Sequence, residues 1–226
     1  MKKWIGALRR LIDWIPNYAR LPLFLCLVTD LVAFYLPRLL GVQARYDLSV
    51  ALDARFSPVP LFAVVYFAAF IFWTVNYVLI CRQSRGLAQR LFFADTFCKI
   101  VCLICFFAIP CQIARPADDE ITGACAWLLR LLYAVDEPNN LFPSIHCMVS
   151  WLSFRPLLSR DAARVPIGYK AFSGVFCVLI CLSTLFTRQH VLADWVSGFA
   201  AAEMGWLLFG VLARGKKHKK DCSYGR

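Results

Sequence analysis

The stretch VPLFAVVYFAAFIFWTVNYVLI, residues 59–80, contains no charged residue. A run of about 20 apolar residues is long enough to cross the ~30 Å hydrocarbon core of a membrane as a helix. The rest of the chain has the same character, because 60% of its 226 residues are hydrophobic and only 17% are charged, whereas about 25% of the residues in a soluble domain are charged. The sequence therefore predicts an all-α, polytopic membrane protein.

Six apolar runs of spanning length can be placed along the chain. They cover residues 21–36, 59–80, 91–113, 144–158, 171–187 and 191–213. Residues 1–20 carry apolar side chains on one helical face, which predicts a helix lying in the inner membrane interface. The stretch ITGACAWLLRLLYAV, residues 121–135, predicts a short helix on the outer surface. No repeat or internal boundary appears, so residues 1–226 are predicted to form one domain that ends in a basic cytoplasmic tail, residues 214–226.

The net charge of +11 comes from 25 Lys and Arg against 14 Asp and Glu. If the N-terminus is cytoplasmic and the chain crosses six times, most of these basic residues fall in inner segments, as the positive-inside rule requires. The basic charge therefore indicates topology and attraction to anionic lipids, and no nucleic-acid partner is predicted. We expect an integral protein of a bacterial cell membrane, with both termini in the cytoplasm. The sequence does not define an oligomeric state.

Most of the eleven cysteines lie within apolar runs, where a free Cys behaves as a small hydrophobic residue. Cys102 and Cys105 form a Cys-x-x-Cys pair without flanking polar ligands, so neither a zinc site nor a disulfide is predicted there. Asp95 and Lys99 are four residues apart in the same run, which places both on one helical face and predicts an ion pair within the third span.

Three polar clusters remain in this apolar chain. They are ARP at residues 114–116, FPSIH at 142–146 and TRQHVLAD at 187–194, and all three fall on the outer face of the predicted topology. His190 and Asp194 are four apart on a predicted helix, so the carboxylate can orient the ring and leave its other nitrogen as a nucleophile. His146 stands in the first turn of its helix, where free N–H groups and the dipole favour an anion.

Arg115 and Arg188 can each add charge-assisted bonds to phosphate oxygens. With the two histidines, they predict a phosphoryl-transfer site that needs no metal or cofactor. Two His and one Asp are also zinc ligands, but neighbouring arginines would oppose a cation. Each of these residues, taken singly, could be an ordinary anchor at the membrane interface. A site is favoured because all of them are predicted to lie on the same face of the membrane.

The three clusters resemble the signature motifs of the type 2 phosphatidic acid phosphatase superfamily, Lys-x6-Arg-Pro, Pro-Ser-Gly-His and Ser-Arg-x5-His-x3-Asp. The resemblance runs in order from Arg115 to Asp194, and the six-span pattern extends it over nearly the whole chain. It implies that Arg115 and Ser144 bind phosphate, that His146 is the general acid, that His190 is the nucleophile and that Asp194 orients it.

The chain departs from this pattern at three positions. Ala108 stands where the first motif has Lys, Ile145 where the second has Gly, and Thr184 where the third has Arg, so Arg188 is predicted to replace that arginine. The resemblance implies an integral-membrane phosphatase that hydrolyses a phospholipid or polyprenyl (pyro)phosphate through a phosphohistidine. With these departures, the chain is similar to the branch that includes the inositol phosphorylceramide synthases, so a lipid phosphotransferase is an alternative function. A non-catalytic membrane protein is the third possibility.

Overall fold

The computed structural model describes the backbone of residues 13–223 and the side chains of residues 13–211. Seven α-helices lie wholly within this part of the chain. They are α1 (Asn17–Leu39), α2 (Phe62–Cys81), α3 (Arg85–Ala108), α4 (Ala126–Val135), α5 (Ile145–Phe154), α6 (Ile167–Phe186) and α7 (Leu192–Ser223). The described residues form no β-strand beyond two isolated bridges, so the predicted all-α class is confirmed.

Helices α1, α2, α3 and α6 are long and apolar enough to cross a membrane, judged by length and composition. They coincide with four of the six predicted spans. Helix α1 is the least buried of the four, and large side chains such as Leu21, Phe24 and Leu27 remain more than half exposed on it. Apolar surface of this extent is rare on soluble monomers and is suited to contact with lipid.

The fourth predicted span, residues 144–158, consists of two short helical pieces. Helix α5 ends at Phe154 and continues as the 3₁₀ turn Arg155–Leu158, because Pro156 has no backbone N–H with which to continue the α-helical hydrogen bonds. The two pieces together extend about 23 Å, less than the ~30 Å of hydrocarbon. The side chains of α7 are described only to residue 211, and the six-span topology stays a prediction.

Helix α5 occupies the centre of the bundle, where it packs against α2, α3, α6 and α7. Met148 and Leu152 of α5 are fully buried in one hydrophobic cluster with Leu91 of α3 and Trp206 of α7. Its buried Ser150 accepts a hydrogen bond from Trp73 Nε1 at 2.9 Å, so the polar group does not remain unpaired in the core. This central packing fixes the position of the α5 N-terminus, which carries His146.

The N-terminus of α5 approaches α7 closely at Gly198. A Cβ atom on Gly198 would lie 2.7 Å from the carbonyl oxygen of Ser144 and 3.2 Å from the Cβ of Cys147. Two backbones can come this near only where one residue has no side chain. Gly198 therefore sets the distance between the second and third polar clusters.

The predicted ion pair of the third span is present. Lys99 Nζ lies 2.8 and 2.9 Å from the two carboxylate oxygens of Asp95, as the i,i+4 spacing requires. Tyr77 of α2 donates to Asp95 Oδ1 at 2.6 Å, and Asp30 Oδ1 of α1 lies 3.4 Å from Lys99 Nζ. The buried pair thus links three helices, and its partners on α1 and α2 were not predicted from the sequence.

A helix is present where the short surface helix was predicted, from Ala126 to Val135. Leu129 and Leu132 of this helix α4 pack against Tyr66 of α2, and Arg130 Nε donates to Asp118 Oδ1 at 2.8 Å. Most of the predicted interfacial helix falls on residues 1–12, outside the described residues. The tail is helical in backbone as far as Ser223.

Candidate active site

The N-terminus of α5 is held by two hydrogen bonds of Ser144. Its Oγ accepts from the backbone N–H of Cys147 at 3.3 Å, as an N-cap residue does. Its own backbone N–H donates to the carbonyl of Asp194 in α7 at 3.1 Å. His146 follows as the second helical residue, so the sequence prediction of a first-turn histidine is correct. Ser144 itself is fully buried and serves the helix as its cap.

His190 is placed by the sharp turn between α6 and α7. After α6 ends at Phe186, the backbone N–H groups of Gln189 and His190 both donate to the carbonyl of Thr184, at 3.0 and 3.1 Å. Helix α7 begins only at Leu192, so His190 precedes the helix on which the sequence had placed it. The spacing still brings His190 Nδ1 to 3.3 Å from Asp194 Oδ2.

Asp194 has a second role at the start of α7. Its Oδ2 also accepts the backbone N–H of Val191 at 3.0 Å, which satisfies a donor that the helix leaves free. The carboxylate is fully buried, and a negative charge in the first turn is favoured by the helix dipole. The same group therefore caps α7 and orients the ring of His190.

The two histidines meet at one cavity. Their ring centroids are 5.9 Å apart, and both rings line a cavity of about 240 Å³. The cavity lies between α1, α2, α4, α5 and the turn that follows α6. The structure thus brings together His146 and His190, which are 44 positions apart in the sequence, and this is the pairing that the six-span topology predicted.

His146 lies in an aromatic environment. Its ring centroid is 4.3 Å from that of Tyr66 and 5.3 Å from that of Trp73. The Tyr66 hydroxyl donates to Asp136 Oδ2 at 2.7 Å, and Asp136 is in turn paired with Arg38 at 3.2 Å. No hydrogen-bond partner of His146 Nε2 occurs among the described residues, which leaves that nitrogen available to a ligand.

The guanidinium of Arg115 is engaged by protein groups. It donates to the carbonyls of Tyr133 (3.2 Å) and Asp136 at the end of α4, and its Nη2 donates to Gln189 Oε1 at 2.5 Å. It also lies 4.3 Å from the ring centroid of Tyr133. Burial lowers the pKa of Arg115, and the neighbouring charge of Asp136 opposes that shift. Arg115 is next to the site, but it is not among the residues that line the cavity.

Arg188 points away from the cavity. Its backbone is in the left-handed region at φ 52°, which is uncommon for a residue other than glycine. Its Nη1 donates to the carbonyl of Asp53 at 3.1 Å, and Asp53 Oδ1 accepts the backbone N–H of Leu192 at 2.9 Å. Arg188 thus helps to fasten the first loop to α7, and it is not among the residues that line the cavity, where the predicted phosphate contact would lie.

Sequence reasoning missed several residues of the site. Gln189, Tyr66 and Asp136 line the cavity, and Asp53 supports it from the first loop. Only Gln189 carried a sequence signal, because it adjoins His190, whereas the other three come from segments with no motif. No three His, Cys, Asp or Glu side chains within the described residues are grouped so that they could hold a metal ion.

Comparison of the chain with protein-family models, with curated proteins and with solved structures gives no match. Function is therefore inferred from the residues and from their geometry.

Proposed function

We propose that this chain is an integral-membrane lipid phosphatase that hydrolyses a phosphomonoester or pyrophosphate of a membrane lipid through a phosphohistidine intermediate. The observation that carries the proposal is the meeting of two histidines at one cavity, their ring centroids 5.9 Å apart, with one of them paired to a fully buried carboxylate. Phosphatidic acid and polyprenyl pyrophosphate are the substrates that we would test first.

His190 is the proposed nucleophile. Asp194 accepts a hydrogen bond from Nδ1–H of His190, so the lone pair of Nε2 is free to attack phosphorus. As the Nε2–P bond forms, the bond from phosphorus to the lipid oxygen breaks and His146 donates a proton to that oxygen. Water then attacks the phosphohistidine, His146 takes a proton from it, and phosphate leaves His190.

The developing charge on the phosphate oxygens is stabilised by groups that need no rearrangement. The free backbone N–H groups in the first turn of α5 and its positive dipole end point to the region of His146. The dipole end of α7 lies at His190. Fixed dipoles of this kind are effective in a site from which water is largely excluded.

A lipid substrate fits the way the cavity reaches the surface. Leu31 and Tyr35 of α1 and Phe70 of α2 line the cavity, and each of them is about half exposed on the outer wall of the bundle. The opening is therefore lateral and apolar, between α1 and α2. A lipid can enter there from the bilayer with its phosphate inward and its chains outside.

The proposed topology has six crossings, with the site and α4 on the outer face. His146 lies in the first turn of α5 and His190 follows α6, and the proximity of their rings puts the start of α5 and the end of α6 at the same end of the bundle. If α6 crosses the membrane, the connection between α5 and α6 lies on the opposite side from the site, so α5 and its 3₁₀ extension must cross as well.

Transfer to a lipid alcohol is the second candidate, and it is favoured by Ile145. This residue, in the place of the family's Gly, lines the cavity beside His146, and the surrounding wall is largely aromatic. A wall of this kind disfavours water as the acceptor. The two reactions differ in their products, since hydrolysis releases phosphate and transfer makes a new lipid.

The test is a substrate panel on the purified protein in detergent, in which free phosphate and new lipid products are scored together. We expect turnover that His146→Ala and His190→Ala each abolish and that EDTA leaves unchanged. His218→Ala, which changes the third histidine of the sequence, is the matched control. Inhibition by EDTA would contradict the metal-free mechanism, and normal turnover in His190→Ala would exclude the phosphohistidine.

A non-catalytic role makes the opposite prediction. If the chain acts as a transporter or scaffold, the panel yields no product, and His190→Ala leaves its transport or assembly phenotype intact.

A further inference from the structure

Gln189 lies between the two parts of the site that the sequence identified. Its side chain is 1% exposed, and it lines the cavity together with His146 and His190. Its Oε1 accepts a hydrogen bond from Arg115 Nη2 at 2.5 Å. Its Nε2 has no hydrogen-bond partner among the described residues.

The contact with Arg115 fixes which way the amide faces. A guanidinium has only donors, so the amide oxygen must face it and the NH₂ group must face the other way. In the opposite orientation, two donors would meet in a buried place. Arg115 is itself held by the carbonyls of Tyr133 and Asp136. The amide of Gln189 therefore cannot turn over without losing its hydrogen bond with Arg115.

The other amide side chains that line the cavity are already used. Asn140 Nδ2 donates to the carbonyl of Phe34 at 3.1 Å, and Asn139 Nδ2 donates to Glu137 Oε2 at 2.9 Å. Gln189 therefore carries the one unsatisfied amide donor of the described cavity wall. Buried polar groups in folded proteins nearly always have a partner, which indicates that a bound ligand supplies the acceptor.

We propose that Gln189 is a phosphate-binding residue whose Nε2 donates to a non-bridging oxygen of the substrate phosphate, and that Arg115 is a positioning residue that acts through it. This inference rests on the proposed phosphoryl-transfer function. It assigns to an uncharged amide the contact that the motif pattern had assigned to arginine. Gln189 adjoins the nucleophile in the chain, so its donor and the attacking nitrogen of His190 are set by the same turn.

Gln189→Glu separates this role from a purely structural one. Glutamate keeps an oxygen for Arg115 and adds an ion pair, so a residue needed only to brace Arg115 would tolerate the change. A phosphate donor would not, because glutamate has no N–H and its charge repels the phosphate. Gln189→Leu removes both functions, and Gln43→Glu makes the same charge change on an exposed loop residue.

Two measurements are made on the full-length protein in detergent. The first is kcat and KM on the lipid phosphate that the wild type turns over best. The second is the rise in melting temperature with inorganic orthovanadate, which reports binding without turnover. In Gln189→Glu and Gln189→Leu we expect kcat/KM to fall roughly 10- to 100-fold, the range for losing one hydrogen bond to a charged group, and the vanadate-induced rise to disappear.

The outcomes distinguish this inference from the proposed function. If the wild type is active while Gln189→Glu keeps its KM and its response to vanadate, Gln189 does not bind phosphate and the proposed function still stands. If the wild type neither turns over a lipid phosphate nor responds to vanadate, the proposed function fails and this inference fails with it. Loss of both signals in Gln189→Glu, with both retained in Gln43→Glu, supports the inference.

Discussion

Asp194 connects the proposed catalysis with folding through a single oxygen atom. Its Oδ2 lies 3.3 Å from His190 Nδ1 and accepts the backbone N–H of Val191 at 3.0 Å. In the proposed mechanism the first contact needs a negative charge, because the imidazole becomes cationic when Nε2 binds phosphorus, whereas the second contact needs only an acceptor. Substitutions that remove the charge and the acceptor separately can therefore tell the two roles apart.

We expect Asp194→Asn to lower kcat roughly 10²- to 10⁴-fold with little change in melting temperature, because an amide oxygen can still accept from Val191. Asp194→Ala should lower kcat as much and also destabilise the fold by about 1 kcal/mol through loss of the cap. Steady-state kinetics and thermal unfolding of both variants provide the measurement. Asp47→Asn, in an exposed part of the first loop, is the control.

Equal loss of stability in Asp194→Asn and Asp194→Ala would contradict this division of roles. Unchanged kcat in Asp194→Asn would show that His190 does not depend on the charge of its partner.

The contact between His190 and Asp194 was predictable from their spacing in the sequence. The partners of the long side chains of Arg115 and Arg188 were not predictable. The interval between His190 and Asp194 survives even though α7 begins two residues later than His190, because one turn of chain spans that distance in either conformation. Arg115 and Arg188 could each reach several acceptors. Which acceptors they use depends on the end of α4 and on the first loop, and neither position follows from local sequence.

At the level of helices, the site depends on how closely α5 and α7 approach. A Cβ on Gly198 would lie 2.7 Å from the carbonyl oxygen of Ser144, and that same oxygen accepts the backbone N–H of Met148 in the first turn of α5. The carbonyl oxygen of Ser144 and the amide nitrogen of Met148 are backbone atoms, so neither can move aside by a change of rotamer. A methyl group at position 198 must therefore displace the helix that carries His146.

We expect Gly198→Ala to destabilise the protein by about 1–3 kcal/mol, as overpacking does, and to lower kcat/KM by roughly 10²-fold if the histidines move apart by about 1 Å. Gly86→Ala in α3 is the matched control, because a Cβ there meets no atom within 4 Å and the change should be neutral or slightly stabilising. Kinetics and thermal unfolding of the two variants test the prediction. Wild-type kinetics in Gly198→Ala would show that the contact does not position the site.

The sequence predicted the positions of the helices better than their internal regularity. Uncharged runs such as residues 59–80 require helical hydrogen bonding in a membrane, so α2 appears where it was expected. Helix α5 changes to a 3₁₀ turn at Arg155 because Pro156 has no backbone N–H, and this change can occur inside the bundle because α5 is enclosed by other helices. Enclosure of this kind depends on all the neighbouring helices and is not encoded in the run itself.

Among the described residues of the whole molecule, the buried Asp, Lys and His side chains are the Asp95–Lys99 pair and Asp53, His190 and Asp194 at the site. Asp30 adjoins both groups, since it lines the cavity and lies 3.4 Å from Lys99. An ionisable group within a spanning segment is costly unless it is paired. The contact with Lys99 therefore lets α1 carry the carboxylate of Asp30 in the wall of the cavity.

The proposed orientation can be tested at two loops that differ in their expected side. A specific protease site inserted after Ala51 lies in the first loop, at the end of the bundle that carries the histidines. A site inserted after Asp161 lies between α5 and α6, at the opposite end. Both positions are exposed, so cleavage depends on the side of the membrane and not on burial.

We expect protease added to intact cells to cleave only the Ala51 insertion, and to cleave both after the membrane is permeabilised. The physical reason is the distribution of Lys and Arg, which favours cytoplasmic placement of the segment that contains Arg160 and Arg164. Cleavage of the Asp161 insertion alone in intact cells would invert the orientation and place the histidines inside. Cleavage of both would contradict the proposed crossing of the membrane by α5 and its 3₁₀ extension.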